Sequence, residues 1–131
     1  MASIINASVA SNGIVSTADA SGILLCQSNG KNTNAQAWVQ FTGASGGATI
    51  NASYNVSSVT RTATGTYTIT FTNAMPSANY CAATCAGNAG TNTGYTGGYN
   101  ATPTTTTYGY YALTAGGANT DFTYNSAIFF A

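Results

Sequence analysis

Hydroxyls and tyrosines aside, this 131-residue chain holds few side chains able to do chemistry: three cysteines, two carboxylates, two basic residues and no histidine. A serine or cysteine nucleophile therefore lacks its usual base, and Lys31 is the only lysine to replace it. Asp19 and Asp121 lie near opposite ends of the sequence, so a glycosidase pair would depend wholly on the fold bringing them together. Zinc needs four ligands, and three cysteines without histidine supply three at most. No glycine motif of the Walker or dinucleotide kind is present. The expectation is a protein that is not an enzyme and holds no cofactor or metal.

The cysteines are Cys26, Cys81 and Cys85. If residues 81–85 form a strand, Cys81 and Cys85 share a face about 13 Å apart at ~3.3 Å per residue. A disulfide needs Cα atoms within about 7 Å, so this pair stays open, and both are expected as small buried apolar side chains.

Composition narrows the partners. Charged residues make up 3% of the chain and the formal net charge is zero, against roughly 25% charged residues in a typical soluble domain. Nucleic-acid binding rests on several lysine or arginine contacts to phosphate, and attraction to an anionic membrane on basic clusters, so neither is expected. No run of about 18 apolar residues is present, and the opening MASIINAS lacks the basic and apolar regions of a signal peptide. Synthesis and assembly in a cytoplasm are the expectation. A neutral surface also gives little repulsion between copies, which favours self-association.

The elements that must carry these residues are strands. In TYTITF, residues 66–71, Tyr67, Ile69 and Phe71 fall on one side and Thr66, Thr68 and Thr70 on the other. Ala37 to Phe41 reads as a strand followed by a Gly46-Gly47 turn. Thr49 to Val56 alternates, and Ser57 to Arg61 continues it as far as the Thr64-Gly65 turn. Pro76 cannot donate to a ladder, so the strand from Thr66 ends before it and Tyr80 to Ala86 begins another. Residues 87–107, rich in Gly, Asn and Thr, read as a long surface loop. Tyr108 to Thr114 and Phe122 to Phe130 complete the chain.

Helical periodicity is absent. The predicted fold is all-β, an antiparallel β-sandwich of about seven strands over residues 37–131, preceded by an extended N-terminal arm over residues 1–36. Asn29-Gly30 marks a hairpin within that arm. The predicted core is Trp38, Val39, Phe41, Ile50, Tyr54, Tyr67, Ile69 and Phe71. Ile4, Ile5, Ile14, Val15, Ile23, Leu24 and Leu25 are too few to fold the arm alone and are the candidate attachment residues. Tyr95, Tyr99, Tyr108, Tyr110 and Tyr111 cluster in and after the long stretch. They read as a subunit interface or as a ligand surface, because tyrosine gives rigid contact at low entropy cost.

The stretch AWVQFTG, followed by INASYNVSSVTRTATGTYTITFTNAMPSANY, resembles a small β-domain of tailed-bacteriophage virion proteins. In that family a W-V-x-F segment leads to S-Y-N-V-S-S, a G-x-Y-T strand and A-M-P-x-A-N-Y. The match covers residues 37–80, and SIINAS and GIVSTADASGIL are similar to opening segments of fibre-like phage proteins. The resemblance implies a structural protein on the outer surface of a virion, a homotrimer. Its partner would be the major capsid protein or another virion protein, which it would bind as a capsid cement or decoration protein. The alternative is a tail-fibre or head-fibre tip that binds host surface glycans.

Overall fold

The computed structural model describes residues 27–28, 31–89, 94–99 and 101–131. The candidate attachment residues Ile4, Ile5, Ile14, Val15, Ile23, Leu24 and Leu25 lie outside the described residues, as do Asp19 and Cys26. The described chain is all-β and antiparallel. Strands β1 (Gln27–Ser28) and β2 (Lys31–Asn32) pair across Asn29-Gly30, where the dipeptide predicted a hairpin.

The remaining strands are β3 (Ala37–Ala44), β4 (Gly47–Tyr54), β5 (Val56–Ala63), β6 (Thr66–Phe71), β7 (Cys81–Gly87), β8 (Gly94–Tyr99), β9 (Thr107–Thr114) and β10 (Tyr124–Phe130). They form two four-stranded sheets, in the orders β4-β3-β10-β7 and β5-β6-β9-β8, packed as a sandwich. Strand β8 corrects one expectation: residues 87–107 are not a plain loop, because 94–99 pair with β9. Glycine-rich sequence gives little strand propensity, and here the ladder with β9 supplies what propensity does not.

A second correction falls at Asn55. Alternation across Thr49 to Arg61 predicted one continuing strand, whereas the chain leaves β4 and enters β5 in the other sheet. Asn55 makes the corner at φ 55°, a left-handed conformation that asparagine tolerates better than most residues. Its side chain holds the corner in place: Oδ1 accepts from the Asn73 N–H at 2.7 Å, and Nδ2 donates to the carbonyls of Gln36 and Asn73.

The core lies between the sheets. Phe41, Tyr67 and Tyr110 form one ring cluster, with centroids 5.0 to 5.9 Å apart. Phe129 meets Phe71, Tyr80 and Tyr108 in a second. Most of these contacts are edge-on, the arrangement the ring quadrupole favours. Of the predicted core, Val39, Phe41, Tyr67, Ile69 and Phe71 are buried, and Ile50 is half-buried against them.

Trp38 and Tyr54 are corrections, being 38% and 46% exposed. Trp38 alternates with Val39 and Phe41, so it must face out once they face in. Tyr54 is turned out by a bulge. The β3–β4 register shifts between Gln40 and Phe41, where Ile50 opposes Phe41 but Ala52 opposes Gln40. The extra residue, Asn51, moves Ala52 and Tyr54 to the face opposite Ile50.

Candidate functional site

Two charged residues far apart in the sequence meet in the fold. Asp121 sits just before β10, 60 residues from Arg61, and the Arg61 guanidinium clasps its carboxylate through Nε and Nη2 at 2.9 to 3.1 Å. The Tyr67 hydroxyl donates to Asp121 Oδ1 at 2.6 Å and the Gly65 N–H donates at 2.8 Å. Arg61 also reaches the Thr64 hydroxyl. These bonds, Arg61's above all, hold the Asp121 carboxyl down to about pKa 2, against the opposing effect of burial. Burial first, and then the bond to Asp121, pushes the Tyr67 phenol well above its ordinary value. Both oxygens of Asp121 are therefore committed to holding the β5–β6 turn against the approach to β10. The clasp is structural, and nothing short-range in the sequence announces it.

Cys81 and Cys85 are free and exposed on β7, which corrects the expectation of buried apolar cysteines. The strand assignment and the shared face follow the spacing. What the spacing could not give is which face, because Ala82 and Ala86 supply the inward side instead.

The tyrosine cluster divides. Tyr108 and Tyr110 are 2% and 0% exposed and belong to the core, so neither serves as a subunit interface or ligand surface. The Tyr110 hydroxyl shares its one proton between two acceptors, the Cys85 carbonyl at 3.0 Å and Asn125 Oδ1 at 3.2 Å. Tyr111, one residue out of phase with them, is half-buried on the outer side of β9. Tyr95 and Tyr99 hold register positions on β8 opposite Leu113 and Tyr110. The alternation Tyr108, Tyr110, Ala112 against Thr107, Gly109, Tyr111 was the signal for this division.

A different surface stands out. The large exposed apolar residues among those described are Trp38, Tyr54, Tyr124 and Phe130, and all four lie on the outer face of the β4-β3-β10-β7 sheet. Trp38 pairs with Tyr54 on one side and with Ile128 on the other, and Ile128 pairs in turn with Ala83. One apolar row thus crosses all four strands. The next row is Ala52, Gln40, Ser126 and Cys85. Between the rows lies an open groove of about 410 Å³ whose walls include Trp38, Gln40, Ala83, Cys85, Ser126 and Ile128.

Strands β3, β4, β7 and β10 contain no Asp, Glu, Lys or Arg. Contiguous exposed apolar patches are found at protein–protein and membrane contacts and in ligand-binding grooves. No family model, curated protein or solved structure matches the chain.

Proposed function

We propose that this chain is a structural subunit of a bacteriophage virion, a homotrimeric capsid cement or decoration protein that attaches to the shell and stabilises it. Its partners are other copies of itself and the major capsid protein or another virion protein. Its work is architectural and not catalytic. The observation that carries the reading is the uncharged aromatic face of the β4-β3-β10-β7 sheet. Such a face is costly to leave in water, and it suits a subunit that spends its life inside an assembly. The phage context comes from the resemblance over residues 37–80, a segment that runs from β3 to the residue before β7.

The test is quantitative mass spectrometry of purified particles, joined to immunogold labelling with an antibody raised against the folded protein. The reading expects label over the shell and a copy number commensurate with the capsid lattice. Label confined to the tail or to fibres, at low copy number, would replace cement by a fibre role. Absence from the particles would overturn the virion reading altogether.

A further inference from the structure

We propose that the outer face of the β4-β3-β10-β7 sheet is covered by a second copy of this chain, packed sheet on sheet. The face has relief. Its bulky side chains stand on three strands, Tyr54 on β4, Trp38 on β3 and Tyr124, Ile128 and Phe130 on β10, while Ala83 and Cys85 leave the β7 edge low beside the groove. The raised side chains of β3 and β10 and the low β7 edge suit a rotated copy, in which bulk on one molecule fills the groove of the other.

Electrostatics favours an identical partner. The four strands carry no charged side chain, so two copies meet without like-charge repulsion and without burying an unpaired ion. A partner recruited through charge would find nothing on this face to pair with. The polar groups in the centre, Gln40 and Ser126, are neutral and can exchange hydrogen bonds with their own counterparts. Two sheet faces pack about 10 Å apart with interdigitated side chains. On the opposite face Tyr111 and Leu113 stand half-buried on the outer side of β9, but β5 and β6 differ. There Ser58 pairs with Thr70, Thr60 with Thr68 and Thr70 with Thr107, giving a hydroxyl surface that water satisfies.

This inference deepens the structural-subunit reading and rests on it; a face packed on its own counterpart closes a two-fold pair, so the trimer of that reading would need a second contact elsewhere. Sedimentation equilibrium of the full-length chain tests it, using Trp38→Glu and Ala83→Glu from the two edges of the face and Thr60→Glu as the control on the other sheet. The expected result is an oligomer for the wild type and for Thr60→Glu. Association should be weakened at least tenfold in Trp38→Glu and in Ala83→Glu, with circular dichroism showing each variant folded. A wild-type dimer in place of a trimer would uphold the interface while refuting the trimeric part of the functional reading. A folded Trp38→Glu with wild-type mass would overturn the interface and leave the virion reading to its own test. A wild type that is monomeric, and becomes oligomeric only when residues 2–25 are removed, would assign the face to the chain's own N-terminal segment and also overturn the inference.

Discussion

The two outer faces of the sandwich solve the problem of having almost no charge in different ways. On the β5-β6-β9-β8 sheet the outward positions of β5 and β6 are Ser58, Thr60, Thr68 and Thr70, whose hydroxyls bond to water and whose methyl groups suit a pleated strand. On the β4-β3-β10-β7 sheet the outward positions include Trp38, Tyr54, Tyr124, Ile128 and Phe130. Both faces avoid ions, yet only on the first do two whole strands, β5 and β6, present hydroxyls to water, with Tyr111 half-buried on the neighbouring β9. Low charge by itself therefore does not identify an interface. The distinction is whether hydroxyls or aromatic rings take the place of the missing ions.

The largest effect expected is along a single strand. Phe41 and Trp38 are both large aromatics on β3, one at 0% exposure against Tyr67 and Tyr110 and the other on the open face. Phe41→Ala should cost about 3–5 kcal/mol in chemical denaturation. Trp38→Ala, measured on dissociated protein, should cost less than about 1 kcal/mol. Equal losses would show that Trp38 is a core residue and that the proposed interface is simply part of the subunit.

Gly43 sharpens the boundary between inside and outside. A Cβ at this position would overlap the Tyr67 hydroxyl and lie 3.0 Å from the Phe122 carbonyl. Gly43→Ala must displace the tyrosine that holds Asp121, and roughly 1–3 kcal/mol of destabilisation is expected, the usual range for overpacking. A neutral result would mean that the ring moves freely and the clasp is slack.

The same clasp predicts a pH response. Asp121 titrates at about 2 when folded, below the roughly 3.9 of a free aspartate. Its contribution is therefore complete above about pH 5 and is lost as the pH falls through about 2. Allowing for solvent screening, roughly 1–2 kcal/mol should disappear over that window. Asp121→Asn should flatten the acid limb of the stability curve. An unchanged limb would separate acid sensitivity from the clasp.

The smallest effect belongs to the hydroxyl face. Thr60 is exposed and stands opposite Thr68, and Thr60→Ala should change stability by no more than about 0.5 kcal/mol and leave the oligomeric state unaltered. A large loss of association would move the interface to this sheet and reverse the comparison.

How much of this was legible beforehand depends on the range of each signal. Strict alternation in Tyr67, Ile69 and Phe71 made β6 and its inward face readable from six residues, and these three are buried. Alternation failed where one residue was inserted: the bulge at Asn51 turned Tyr54 outward, and the corner at Asn55 sent the chain into the other sheet. Strand β8 was hidden because its glycines carry no propensity, and its pairing with β9 is a property of the assembled sheet. The Arg61–Asp121 pair spans 60 residues, beyond the reach of any local pattern. The aromatic outer face was missed for a simpler reason. Residue type alone sends large apolar residues to the core, whereas the parity of β3 places Trp38 opposite Val39 and Phe41.

Trp38 is the single tryptophan in the chain, so its fluorescence reports on the disputed face without any label. Emission and acrylamide quenching across a dilution series, for the wild type and for Ala83→Glu, test the central claim most directly. The account predicts a blue-shifted, quencher-protected indole in concentrated wild type. On dilution it should become red-shifted and accessible, and in Ala83→Glu it should be accessible at every concentration. An indole equally accessible at all concentrations in both proteins would contradict the account, because the aromatic face would then meet water and no second copy.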